Sequence, residues 1–267
     1  MKKINFLILF LFSTMLLIGK SFSSTESDEF IKLKETHNII CKNVTLSNLE
    51  EIGNNWKLQK KSKYLQLFAN KIEQKTLQIR LLYRSNQVQK IIFTFYKVPK
   101  RPILEIRSNN NCNIQSIRKI IYNKNFIPQE IHSINISDYK IDNTKLLNPE
   151  LPKLKSNNEK NIIALIDTGI NYSLKILHKN IAVKDRQILG FDFWDNDNKP
   201  FDSDPRQSPF YPRHHGTTVF SILAHDAPNS IIAPYRFPAL EMCKFKELVE
   251  HIVENSIRVV NLSMGSK

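Results

Sequence analysis

The feature that most constrains the fold is an uninterrupted apolar run, Ile162 to Ile166, followed directly by an acid, Asp167. A strand inside a parallel sheet is covered on both faces, so its sequence is continuously apolar rather than alternating. Further predicted strands and helices follow in alternation, with strands at 188–193, 230–233 and 259–262 and helices at 217–224 and 245–254. This order predicts an α/β unit with a doubly wound, mostly parallel sheet, whose functional groups lie at the carboxyl ends of the strands.

The preceding part of the chain, residues 24–150, has the pattern of a separate and smaller α+β domain. Alternating apolar and polar residues on both sides of a polar turn are typical of a hairpin, and apolar residues at helical spacing predict a helix. A stretch rich in Pro, Ser and Asn is typical of a linker. The predicted elements are a hairpin of 76–83 with 90–96, a strand at 102–106, a helix at 114–122 and a linker at 143–160. The second domain is expected to span 151–267.

Residues 1–23 have the features of a secretory signal peptide. Lys2 and Lys3 precede a short apolar segment, residues 6–18, and small residues flank Phe22. A membrane span needs about 20 apolar residues, so the pattern favours a signal over a stable anchor. We therefore expect an exported protein, secreted or periplasmic.

Export would place the three cysteines in an oxidising compartment. There Cys41 and Cys112 can pair within the first domain, although their spacing in the sequence does not establish it. Cys243 would then remain as a lone buried thiol.

The charge of the chain is uneven. Of its 267 residues, 39 are Lys or Arg and 25 are Asp or Glu, a net charge of +14. Residues 1–150 hold 24 of the basic and 12 of the acidic residues. A solvated basic face explains this, and a surface for an acidic polymer or envelope is the alternative. No zinc-finger spacing or aromatic strand signature of nucleic-acid binding is present, so we expect no nucleic-acid partner.

Three segments of the second domain carry residues suited to chemistry. They are Ile163-Ala164-Leu165-Ile166-Asp167-Thr168-Gly169-Ile170, His214-His215-Gly216-Thr217-Thr218-Val219 and Val259-Val260-Asn261-Leu262-Ser263-Met264-Gly265. Each alone is a weak signal, because an Asp after a strand or a His at a helix start is often structural. Together and in this order, residues 161–265 resemble the N-terminal part of the catalytic domain of the subtilisin-like serine proteases, the subtilases.

The resemblance implies an Asp-His-Ser mechanism for hydrolysing peptide bonds. His215 would take the proton of a serine nucleophile, and Asp167 would orient the imidazole. Ser263, Met264 and Gly265 would offer backbone groups to an extended polypeptide substrate. The Gly-Thr-Ser-type segment of the family is absent from these 267 residues. We therefore expect a truncated form that is inactive alone, with a complementary C-terminal fragment as a possible partner and residues 24–150 as a possible prodomain.

Three further interpretations stay open. An acidic loop could hold Ca²⁺, but it lacks the glycine and the final Glu of an EF-hand, so a solvated turn is favoured. Its residues are Asp192, Asp195, Asp197, Asp202 and Asp204. No other cofactor or metal is expected. The Asp167-Thr168-Gly169 turn also resembles that of aspartic proteases, but those enzymes need two such turns. Finally, the chain can be an exported binding module, with a basic first domain attached to a non-catalytic protease remnant.

Overall fold

The computed structural model describes residues 28–43, 55–72, 75–98, 101–157, 161–238 and 241–263. The predicted signal peptide lies outside these residues. The described residues form two units, one built on an antiparallel sheet and one on a parallel sheet. None of the described helices is both long and apolar enough to cross a bilayer.

The first unit is a single helix packed on an eight-stranded antiparallel sheet whose strands neighbour one another in chain order. The helix is α1 (Asp28–Asn43). The strands are β1 (Lys57–Lys61), β2 (Leu65–Ile72), β3 (Lys75–Arg84), β4 (Gln87–Val98), β5 (Arg101–Asn109), β6 (Ile114–Tyr122), β7 (Pro128–Ile134) and β8 (Ile141–Leu146). Leu33 and Ile40 of the helix share a buried cluster with Ile79, Phe93 and Ile106 of the sheet.

The predicted hairpin is confirmed as β3 and β4. Its turn is Ser85-Asn86, where both residues have positive φ, as the tight two-residue hairpin turn requires. The strand predicted at 102–106 is confirmed within β5. The predicted linker begins later than expected, because β8 continues the sheet to Leu146.

The helix predicted at 114–122 is wrong. This segment is β6, which pairs antiparallel with β5 on one side and with β7 on the other. Its four isoleucines fall at helical spacing, but a β-branched residue fits better in a pleated sheet, where it packs against neighbours on both sides. The pairing of two flanking strands therefore outweighs the helical periodicity.

The second unit has a four-stranded parallel sheet in the order β12, β13, β9, β14. Its elements are β9 (Asn161–Asp167), β10 (Val183–Lys184), β11 (Gln187–Ile188), β12 (Phe191–Asp192), α2 (Gly216–Asp226), β13 (Ser230–Arg236), α3 (Phe245–Glu254) and β14 (Val259–Leu262). Short 3-10 helices lie at Lys175–Asn180 and Met242–Lys244. The two predicted helices and the strands β9, β13 and β14 are confirmed. The strand predicted at 188–193 is shorter than expected, because this segment holds only the last residue of β11 and the two residues of β12.

The two helices of this unit belong to different layers. Phe220 of α2 packs in one buried cluster with Leu165 and Ile232, and Leu248 of α3 packs in another with Ala233. Because neighbouring strand residues point to opposite faces, the helices cover opposite faces of the sheet. A parallel α/β unit is thus present. The chain as a whole also contains a large antiparallel sheet, so the predicted doubly wound fold is confirmed only in part.

The cysteines follow the prediction in one respect and depart from it in another. Cys41 of α1 and Cys112 form a disulfide, which ties the helix to the turn between β5 and β6. Cys243 is exposed, so its prediction as a buried thiol is wrong. It lies in the 3-10 turn before α3, outside the cluster that α3 covers.

The buried His37 should make the stability of the first unit depend on pH. Its ring is buried against Phe93, with Nε2 2.8 Å from Ser108 Oγ. Burial lowers the pKa of His37, although contacts with Asn38 and Cys112 oppose this shift. The unfolded chain therefore binds the proton more readily, and stability is lost as the pH falls below about 6.5. Unfolding in urea at several pH values should show a smaller acid loss in His37→Gln than in the wild type; equal slopes would contradict the assignment.

Candidate active site

Asp167 is the last residue of β9 and is almost fully buried. Its backbone carbonyl accepts a hydrogen bond from Phe237 N–H, which follows the neighbouring strand β13. Its Oδ1 accepts the N–H of Thr168 at 2.7 Å. The parallel pairing of β9 and β13 therefore fixes the carboxylate at the carboxyl edge of the sheet, where α/β folds place functional groups.

His215 immediately precedes α2 and faces this carboxylate. Its Nδ1 lies 2.9 Å from Asp167 Oδ2 and 3.0 Å from Oδ1. A carboxylate only accepts hydrogen bonds, so the geometry assigns the proton to Nδ1 and leaves Nε2 as the basic nitrogen. The side chain of His215 is 59% exposed, whereas that of Asp167 is 1% exposed. The arrangement is a buried acid that orients a solvent-facing base.

Close backbone contact between the two segments brings this pair together. A Cβ on Gly216 would lie 2.0 Å from Gly169 O, and Gly169 itself has φ +91°. A side chain at position 216 would force the start of α2 away from β9. The glycine that follows His215 is therefore part of the reason that the imidazole reaches Asp167.

A second buried acid, Asp202, joins the same two segments. Its carboxylate accepts the hydroxyl of Thr168 at 2.6 Å and both the N–H, at 2.8 Å, and the hydroxyl of Thr217. The hydroxyl oxygen of Thr168 in turn accepts the N–H groups of His215 at 3.2 Å and Gly216 at 2.9 Å. Burial raises the pKa of Asp202, and the hydrogen bonds from the two threonines oppose this shift. Asp202 thus fixes the start of α2 relative to the end of β9.

This role of Asp202 was not predicted from the sequence, which suggested the residue only as a possible calcium ligand. A single Asp in an irregular loop has no periodicity, so its sequence position gives no sign of which backbone groups it will meet. The hydroxyl of Thr168 was missed for the same reason. The nearest signal was that both residues lie in or between the two segments singled out for Asp167 and His215.

The acidic loop does not converge on a common point. Asp192 and Asp195 both contact the guanidinium of Arg236, and Asp204 pairs with Arg206. Asp197 accepts hydrogen bonds from Asn148 Nδ2 and Lys199 N–H, while Asp202 binds the threonines described above. Within the described ranges, no group of three or more His, Cys, Asp or Glu side chains is arranged to hold a metal ion.

Of the three predicted substrate-binding residues, the structure describes Ser263. It follows β14, whose Leu262 is in register with Ile166, and its N–H donates to Ile166 O at 3.3 Å. Ser263 therefore lies at the same sheet edge as Asp167. Its hydroxyl bonds to Asn261 Oδ1 at 2.5 Å. Met264 and Gly265 lie outside the described residues.

The structure thus brings Asp167, His215 and the strand β14 to one edge of the sheet, the arrangement that the resemblance to the subtilases implies. A family model agrees: the subtilase family matches residues 158–267. The match is consistent with a partial subtilase-like domain, and it supports a serine-type peptidase by family resemblance. No curated protein and no solved structure matches the chain.

Proposed function

We propose that the chain carries the acid and the base of an exported serine endopeptidase, with Asp167 and His215 as the catalytic residues. The observation that carries this proposal is the contact of His215 Nδ1 with both oxygens of Asp167, while the imidazole remains exposed. The exposed imidazole can reach a substrate, whereas the buried carboxylate can act only through the imidazole.

The chemistry follows from this arrangement. His215 Nε2 takes the proton of a serine hydroxyl as its oxygen attacks the scissile carbonyl, and later gives that proton to the leaving amine. Asp167 holds the productive tautomer and stabilises the imidazolium formed in between. The attacking serine would come from residues outside 1–267, because no Gly-Thr-Ser segment is present here. We therefore expect the polypeptide 1–267 alone to be inactive as a peptidase.

The substrate in this proposal is a polypeptide in extended conformation. The backbone of Ser263, Met264 and Gly265 would pair with it beside the sheet. In support, β14 lies at the end of the described sheet and its apolar Val259, Val260 and Leu262 are about half exposed. An edge of this kind favours the addition of another chain, either the substrate or a complementary fragment that carries the serine.

The test is Asp167→Asn in the polypeptide 1–267, read by ¹⁵N NMR of the His215 ring. Thr168 N–H donates to Asp167 Oδ1, so we expect the asparagine to keep its carbonyl oxygen there and to place its NH₂ at the position of Oδ2, which lies 2.9 Å from His215 Nδ1. Two donors cannot face each other, and we expect the ring proton to move from Nδ1 to Nε2. Asp204→Asn, in the loop before His215, is the matched control and should leave the tautomer unchanged.

Two results would contradict the proposal. The first is a wild-type ring protonated on Nε2, which would mean that Asp167 does not orient it. The second is labelling of the polypeptide 1–267 alone by a serine-directed phosphonate probe, since that requires an activated serine within these residues. We expect no labelling.

A further inference from the structure

The loop that leads to His215 packs on the sheet of the first unit. Phe210 is fully buried in a cluster with Ile120 of β6, Ile131 of β7 and Leu147, which follows β8. Four residues separate Phe210 from His215 along the chain. The segment that presents the candidate base is therefore anchored outside its own domain.

Tyr211 is held on both faces by arginines of that sheet. Arg107 of β5 lies 3.6 Å from the ring centroid and Arg118 of β6 lies 3.8 Å from it. The tyrosine hydroxyl lies 2.5 Å from Ser116 Oγ, and Arg118 Nη1 donates to Phe210 O at 2.8 Å. A ring between two guanidinium groups can neither shift nor tilt easily, because each cation is attracted to one of its faces.

The arginines are themselves fixed by the sheet. The side chain of Arg107 bonds to the buried carboxylate of Glu105 at 2.5 Å and also donates to Ser208 Oγ at 3.1 Å. Glu105 also binds Arg80 at 2.8 Å. The surface under the loop thus combines fixed polar side chains with the apolar cluster around Ile120, and residues 208–211 pack on it.

The contact extends to the residue beside the candidate base. Lys145 of β8 donates to His214 Nε2, and His214 Nδ1 donates to Asp202 O. Asp202 is the acid that fixes the start of α2. In addition, Asp204 and Arg213 exchange two backbone hydrogen bonds of 2.9 and 3.0 Å, which close the loop at its base. A displacement at Tyr211 would therefore be passed to His214 and His215.

We propose that the eight-stranded sheet is a positioning domain for the His215 segment, with Arg118 and Tyr211 as its main positioning residues. This rests on the proposed function for its consequence. The sheet contacts the loop from behind while the imidazole stays 59% exposed. A domain that blocked the site would bury the imidazole instead, so this geometry fits a permanent accessory domain rather than an inhibitory prosegment.

The test uses the polypeptide 1–267 and the downfield proton signal of His215 Nδ1–H, which reports its hydrogen bond to Asp167. Tyr211→Ala and Arg118→Ala should each raise the solvent-exchange rate of this proton about tenfold, because the loop opens more often once its clamp is weakened. Tyr211→Phe keeps the ring between the arginines and should restore the wild-type rate. Arg101→Ala is the matched control, since Arg101 also lies over an aromatic ring, that of Phe126, on the same sheet.

The outcomes separate the two proposals. If the wild type lacks the downfield signal, the hydrogen bond between Asp167 and His215 is absent, and this result contradicts the proposed function itself. If the wild type has it, and Tyr211→Ala and Arg118→Ala exchange at the wild-type rate, the sheet does not position the segment. Arg118→Ala leaves Phe210 buried, so it remains informative even if Tyr211→Ala unfolds.

Discussion

Arg236→Met is expected to lower the free energy of unfolding of the second unit by about 3–5 kcal/mol at pH 8. Arg236 is 2% exposed, and its Nη1 donates to Asp192 Oδ2 at 2.7 Å and to Asp195 Oδ2 at 2.5 Å. Its Nε donates to Ser203 O at 2.9 Å. Methionine keeps about the length of the arginine stem but has no guanidinium, so the variant leaves two carboxylates without their cation.

The loss should be smaller in acid, and the direction follows from the pKa of Asp192. Burial raises this pKa to about 7, with Arg236 opposing the shift. A group whose folded pKa lies above its unfolded value favours folding at low pH and loses that contribution as the pH rises through the folded pKa. At pH 5 the Asp192 carboxyl of the variant is neutral and needs no cation. The destabilisation should therefore reach its full size only above pH 7.

The measurement is urea unfolding at pH 5 and pH 8, followed by the fluorescence of Trp194, over which Arg236 lies at 5.1 Å. Arg206→Met is the matched control, since Arg206 pairs with Asp204 in the same loop but is about one third exposed. Because solvent reaches the Arg206 guanidinium, although Asp204 is only 7% exposed, we expect Arg206→Met to cost less than Arg236→Met. A loss in Arg236→Met no larger than in Arg206→Met would contradict the assignment of a buried ionic cluster.

The sequence predicted the second unit well because its strands are covered on both sides. A continuous apolar run ending in a polar residue has few other structural meanings, so β9, β13 and β14 were found from residues 161–262 alone. Their parallel pairing brings Asp167 to the same edge as the start of α2. The contact of Asp167 with His215 was predicted from the resemblance to the subtilases, and the parallel pairing is the physical reason that the two side chains meet.

The first unit was predicted less well because its signals are local and ambiguous. In β6 the spacing of the isoleucines fits a helix, and only the strands on both sides decide against it. The burial of Cys243 was inferred from residue type, which says nothing about the turn that exposes it. Helix α1 carries no strong periodic pattern, and the sequence did not reveal it.

The contacts between the two units lay beyond the sequence altogether. Arg107 and Arg118 meet Tyr211 across about a hundred residues of chain, and neither partner is unusual in its own segment. Asp202 and Arg236 likewise gain their roles from groups on other elements. Such residues are fixed by tertiary packing, so a reading of local pattern assigns them to solvated loops or strand ends.

Removing the disulfide is expected to lower the free energy of unfolding of the first unit by about 4 kcal/mol, because the bond closes a long loop. Cys41 and Cys112 are 71 residues apart, and the bond restricts the unfolded chain over that whole length. Cys41→Ala with Cys112→Ala, compared with Cys243→Ala as the matched control, should show this in urea unfolding. Trp56, packed beside the cluster that includes α1, reports on this unit in a Trp194→Phe background. The exposed Cys243 should have almost no effect, and equal midpoints for the two variants would mean that the sheet alone holds α1 in place.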